Sequence, residues 1–220
     1  MTENFIVIDT ETANGLENPL VYDCGWKVTN RYGETIETRS YVNADIFLGE
    51  KDLMKSSYYA SKIPQYWEDI KSGERILTSL FNIKKQFSED CKNYNVKQIY
   101  GYNMRFDVNA LNTVLRWETK SKYRYFFPKG TEFYDIMKMA KDVIGCRNSY
   151  RKFCEENGFM TNHKTPRPQI NAETVYKYIT KNPNFTEEHK GLEDVNIETE
   201  IMAYCYRQHK KMRKLLWEKA

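Results

Sequence analysis

An apolar, β-branched run, Phe5-Ile-Val-Ile8, ends abruptly in Asp9-Thr-Glu11, and this junction constrains the fold more than any other feature of the chain. Such a run has the composition of a strand buried on both faces. Residues i and i+2 of a strand point the same way. If the strand continues through Glu11, both carboxylates leave one face at its carboxyl end. Two carboxylates held that close repel each other unless a cation lies between them. Hard divalent cations such as Mg²⁺ or Mn²⁺ favour carboxylate oxygen. A strand running into a polar, helix-capping turn would leave the same residues, so Asp-x-Glu alone does not decide.

Two further segments carry acids in comparable settings. Lys97-Gln-Ile-Tyr-Gly-Tyr102 reads as a short strand and Phe106 to Arg116 as a helix, its apolar positions Phe106, Ala110, Leu111, Val114 and Leu115 falling at helical spacing. Asp107 would then lie in the first helical turn, where acids are also favoured for purely structural reasons. Glu188-His-Lys-Gly-Leu-Glu-Asp194 precedes another helical pattern. On one continuous helix His189 and Asp194 would stand roughly 140° apart. They reach one site only if Asp194 is on the helix and His189 on the loop leading in, with Gly191 easing the turn. A loop histidine with an ordinary pKa near ~6.5 suits a general base.

Taken in this order, Asp9 and Glu11, Asp107, and Asp194 preceded by His189 resemble the three motifs of the DEDD superfamily of 3′–5′ exonucleases, which includes proofreading domains, ribonuclease T and oligoribonuclease. His189 matches the histidine subclass; the tyrosine subclass would place Tyr where Lys190 stands. Val21-Tyr-Asp-Cys-Gly-Trp26 is similar to the family's second strand, and Arg147-Asn-Ser-Tyr-Arg-Lys-Phe-Cys154 to the helix after its second motif. The resemblance implies an α/β fold, an RNase H-like mixed β-sheet flanked by helices. It implies Asp9, Glu11, Asp107 and Asp194 as ligands for two divalent cations, Mg²⁺ or Mn²⁺, with His189 as the base. It also implies Thr12, Asn103 and Phe106 as contacts to the last nucleotides of a strand. Two cations in such sites lie ~3.5–4 Å apart, and the products would be 5′-mononucleotides.

The expected substrate is the 3′ end of DNA, single-stranded in preference. A 3′–5′ exoribonuclease of the same fold is the alternative, because no residue reveals sugar discrimination. A nucleic-acid-binding or replication accessory module without turnover is the alternative from another class. A replication partner or a homo-oligomer would be compatible with either. The chain ends at residue 220, which leaves little room after Asp194 for a long polymerase-tethering tail and suggests a stand-alone enzyme of the kind phages encode.

Composition supplies the remaining bounds. The 220 residues suit one domain. No apolar run approaches the ~20 residues of a membrane span, and the amino terminus lacks a secretory pattern. Cys24, Cys91, Cys146, Cys154 and Cys205 form no Cys-x-x-Cys pair, so they read as reduced packing residues of a cytoplasmic protein without a zinc site. Net charge is +4, concentrated in Arg207, Lys210, Lys211, Arg213, Lys214 and Lys219 against Glu218. With Met212, Leu215, Leu216 and Trp217 this tail predicts a basic amphipathic helix over 207–220, better read as packing on the domain than as a phosphate-binding arm. Residues 158–188 read as a variable insertion, and 50–93 as helical with interruptions near Pro64 and Ser72-Gly73. Tyr22, Cys24, Trp26 and Val28 alternate as in a half-exposed strand, and Arg31-Tyr-Gly-Glu34 turns into its partner. Two stretches mix cations with rings: Lys120 to Phe127, and Tyr58, Tyr59, Lys62, Tyr66 and Trp67. Both could contact substrate, though packing is the preferred reading.

Overall fold

The computed structural model describes residues 3–217. A six-stranded sheet comprises β1 (Asn4–Ala13), β2 (Leu20–Asn30), β3 (Thr35–Asn43), β4 (Ile76–Thr78), β5 (Gln98–Gly101) and β6 (Glu132–Asp135). Its order is β4-β3-β2-β1-β5-β6. The first three strands form an antiparallel meander, β5 runs parallel to β1, and β6 parallel to β5. The Arg31–Glu34 turn joins β2 to β3 as expected.

The helices are α1 (Ala44–Phe47), α2 (Lys51–Ser56), α3 (Ile63–Ser72), α4 (Leu80–Asn93), α5 (Arg105–Thr119), α6 (Ile136–Ala140), α7 (Asn148–Asn157), α8 (Ala172–Thr180) and α9 (Gly191–Arg207). A 3₁₀ turn, Ala60–Lys62, precedes α3. The interruptions near Pro64 and Gly73 are present, but Ile76–Thr78 lies within the segment read as helical and forms strand β4 instead. With only three residues, at a sheet edge, it offers too little alternation to announce itself.

Burial on both faces explains the apolar run in β1. Ile6 and Ile8 pack with Trp26, Phe87, Leu111 and Val114 on the α4/α5 side. Phe5 and Val7 pack with Tyr100, Ile136, Val195 and Ile201 on the α9 side. Strand β2 is likewise buried almost throughout, not half-exposed; Lys27 alone departs from full burial. Its polar positions misled the reading because Asp23 is fully buried in an ion network and Gly25 lies beneath α9.

The carboxyl-terminal segment also departs from expectation. Helix α9 ends at Arg207, and residues 208–217 form no helix. Within them Lys214 to Leu216 run alongside β6, where Asp135 N–H donates to Lys214 O (2.7 Å) and Leu216 N–H to Phe133 O (2.9 Å). Met212, Leu215 and Leu216 fit helical spacing, but backbone pairing to an open strand edge overrides it. Residues 218–220 of the expected helix lie outside the described residues. Residues 158–188, read as an insertion, contain α8, whose Val175 is buried and which packs on α9.

Candidate active site

Three elements deliver the acids. Strand β1 does run through Glu11, with its register shift only after it. By strand parity Asp9 and Glu11 leave on the α9 face with Phe5 and Val7. Asp107 is in the first turn of α5, buried, and accepts a 2.8 Å hydrogen bond from the Thr10 hydroxyl. Asp194 is in the first turn of α9, also buried. His189 precedes that helix on the loop, as the spacing required. The left-handed conformation there falls on His189 (φ 50°) and not on Gly191. Gly191 is needed for close approach instead: a Cβ on it would lie 2.8 Å from Gly25 N and 3.2 Å from Asp9 O.

A buried ion network fixes this junction. Arg75 donates to Asp23 (2.8 Å) and Asp69 (3.0 Å) and also reaches Glu193. Lys190 donates to Asp69 (2.9 Å), and Asp23 accepts from Gly191 N–H (2.9 Å) and Tyr66 OH (2.7 Å). Tyr66 is therefore a buried structural residue, not a substrate ring. The His189 loop is held from its other side. Lys62 donates to the carbonyls of Glu188 and of His189 (3.2 Å), and the Tyr59 ring stacks on the imidazole at 5.0 Å and 19°.

Ligand atoms of Glu11, His189 and Asp194 all lie within 4.8 Å of one another. Electrostatics tie the other acids to them. Burial pushes the Asp9 carboxyl far up, and the charges of Glu198, Asp107, Asp194 and Glu11 add to it. Burial and Asp23 raise Glu11 to about 8, with Lys62 opposing. Burial raises Asp107 to about 7 against the Thr10 hydrogen bond. Burial, Glu187 and Glu11 raise Asp194 to about 9. His189 moves the other way, lowered by burial and by Lys62, which favours the neutral imidazole. Asp194 Oδ1 is buried with no hydrogen-bond partner among the described residues. An orphaned carboxylate oxygen amid mutually repelling acids fits a divalent cation, and the nearly all-oxygen donor set suits a hard one.

Glu198, the Arg75 network and the clamping role of Lys62 were missed from sequence. Glu198 is buried, accepts from Tyr102 N–H (3.1 Å) and raises Asp9. Its spacing four residues after Asp194 puts both on one helix face and could have exposed it. Lys62 and the Arg75 network had no comparable signal, being contacts between segments distant in sequence. Of the expected substrate residues, Asn103 and Phe106 line one groove together, whereas Thr12, just past Glu11, is not among its lining. Asn103 also adopts a left-handed conformation (φ 61°) at the β5–α5 junction.

No protein-family model matches this sequence, and no curated protein matches it. Solved structures do. Escherichia coli exonuclease I in complex with a dA16 oligonucleotide superposes with a TM-score of 0.55 at 13% identity, over 94% of this chain and 41% of that one. The zinc-bound form of the E. coli exonuclease I–ssDNA complex gives 0.55 at 12%, over 95% and 41%. A moderately thermophilic exonuclease I from Methylocaldum szegediense gives 0.55 at 13%, over 94% and 41%. The chain thus shares the fold of these structures, an RNase H-like mixed sheet flanked by helices. The chain spans about two fifths of the length of these structures. No helix among the described residues is long and apolar enough to cross a membrane.

Proposed function

We propose that the protein is a metal-dependent 3′–5′ exonuclease that releases 5′-mononucleotides from the 3′ ends of DNA, chiefly single-stranded. The supporting observation is the meeting of Glu11, Asp194 and His189 within 4.8 Å, with Asp9 and Asp107 in electrostatic contact, on an exonuclease fold. Asp9, Glu11, Asp107 and Asp194 would hold two divalent cations, Mg²⁺ or Mn²⁺. Bound there, such ions neutralise phosphate charge and make water more acidic.

The chain's own residues do the rest. His189, neutral at pH 7 and clamped by Lys62 and Tyr59, accepts a proton from the attacking water. The water oxygen bonds to the terminal phosphorus as the bond to the upstream 3′ oxygen breaks, and that oxygen leaves in line. Asn103, Phe106 and Thr12 would position the terminal nucleotides. The reduced, mostly buried cysteines suit the cytoplasm, and co-purification with a polymerase would add a replication partner.

The test is a denaturing gel of 5′-labelled single-stranded DNA, duplex DNA and RNA of one sequence with Mg²⁺ or Mn²⁺, beside EDTA and Asp107→Ala controls. A 3′ ladder on DNA, absent from both controls, is expected. An RNA-only ladder would move the protein to the ribonucleases, binding without cleavage would make it an accessory module, and normal turnover by Asp107→Ala would end the assignment.

A further inference from the structure

Three depressions follow one another along the exposed side of α5. The first, about 560 Å³, starts at Asn103 and Phe106 and continues past Arg105 and Asn109 to Arg116, with Trp217 on its rim. The second shares Arg116 and adds Trp117, Lys120 and Lys122, facing Asn14 in the loop after β1. A third shares Asn112 and reaches Tyr125. Among the described residues no carboxylate lines any of them, in a chain with 30 Asp and Glu against 34 Lys and Arg. The charge here is selected by position, not by overall composition.

The spacing of the helix residues is regular. Arg105, Asn109, Asn112 and Arg116 follow intervals of four, three and four, and so form one stripe about 16 Å long. Rings border that stripe and its continuation, each with a cation over it: Trp217 under Arg105 (6.0 Å), Tyr125 under Arg116 (4.9 Å), Trp117 under Lys120 (4.6 Å) and Tyr123 under Lys122 (5.2 Å). Trp217, Tyr125 and Tyr123 are 66%, 63% and 77% exposed, so these rings pack no core. By contrast Phe126, from the same stretch, is fully buried and belongs to the core. The stretch therefore divides into a structural end and a presented one. Alternating rings and cations beside an acid-free groove match what a single strand requires, π-faces for unpaired bases and charge for phosphates.

We infer that the outer face of α5, with residues 117–125 and Trp217, binds the single strand lying 5′ of the scissile bond. At a rise of 3.4 Å per stacked nucleotide the α5 stripe accommodates at most about five. The direction of the strand rests on the exonuclease reading, because the groove begins at Asn103 and Phe106, the residues that precede Asp107 at the start of α5; the binding of a strand does not. A duplex keeps its bases inside and gains nothing from the rings.

Fluorescence anisotropy in EDTA tests this with 5′-labelled oligo-dT of about three and about eight nucleotides. The wild type should bind the longer strand more tightly. Trp217→Ala and Arg116→Gln should each weaken the longer strand by about fivefold or more and the shorter by less than about twofold. Arg105→Gln with Arg116→Gln should flatten the salt dependence, lowering the slope of log K against log salt by about 1.4. Arg105 and Trp217 are exposed, so these two changes leave the core packed. Wild-type affinity in all variants would overturn the inference. So would polyglutamate competing as well as unlabelled oligo-dT, which would mark an acidic-polypeptide surface. Cleavage in Mn²⁺ is read separately: length-dependent binding without cleavage removes the exonuclease reading and keeps the strand path, while cleavage with unimpaired variants does the reverse.

Discussion

Replacing Arg75 by Met should cost more stability than any comparable change remote from the acids. Arg75 is 2% exposed and its principal partner, Asp23, is 0% exposed at 2.8 Å. Methionine fills much of the same space but leaves the Asp23 charge with only the Tyr66 hydroxyl and the Gly191 amide. Removing one partner of a buried pair costs about 3–5 kcal/mol. At about 2–4 °C per kcal/mol for a domain of this size, the melting temperature should fall by about 6–20 °C. The remaining Asp23 carboxyl, already raised by burial, would rise further once its cation is gone. An acid whose native pKa exceeds its unfolded one loses stability as pH rises, so the deficit should be larger at pH 8 than at pH 5. Differential scanning calorimetry in EDTA at the two pH values reads both quantities. The double variant Asp23→Asn/Arg75→Met should recover part of the loss, since removing both charges leaves nothing buried and unpaired. A melting temperature for Arg75→Met within about 2 °C of wild type would refute the view that this network holds the start of α9.

The same linkage applies to the acids. Asp9, Glu11, Asp107 and Asp194 all have raised pKa values, so metal-free protein should lose stability between about pH 4 and pH 9, and Mn²⁺ should raise the melting temperature more at pH 8.5 than at pH 5.5. Cation binding should also release protons at pH 7, seen as a heat that depends on buffer ionisation enthalpy; a buffer-independent heat would contradict the raised values. Lys62→Met should lower kcat about tenfold or more with little change in KM, because it loosens His189 without touching substrate. It should also shift the acid limb of the pH–rate profile upward, since the Lys62 charge helps to keep the imidazole pKa low; an unmoved limb would show that His189 is not the base.

The acids could be read from sequence because each sits at a local junction whose chemistry is self-contained: Asp9 and Glu11 close a buried strand, Asp107 and Asp194 open helices. The inferred position of His189 followed from angular spacing alone. What supports them could not be read that way. Lys62 lies 126 residues from Glu188, whose carbonyl it holds, and Arg75 lies 118 from Glu193. Such contacts depend on how distant segments pack, and a single chain carries no periodicity that records them. The misread tail shows the same limit: Met212 and Leu215 have helical spacing, but the open edge of β6 determines their conformation.

That tail has a consequence beyond its charge. Strand β6 ends the sheet, and an uncovered strand edge is a template for pairing with another chain. Here the edge is occupied by the segment around Leu215, secured where Arg213 grips Asp142 at 2.7 Å and where Lys138 holds the Leu215 and Leu216 carbonyls. At the opposite edge β4 is only three residues long, too short to recruit a neighbour. The segment around Leu215 therefore covers this edge, and shortening the chain there should expose amides able to pair with a second molecule.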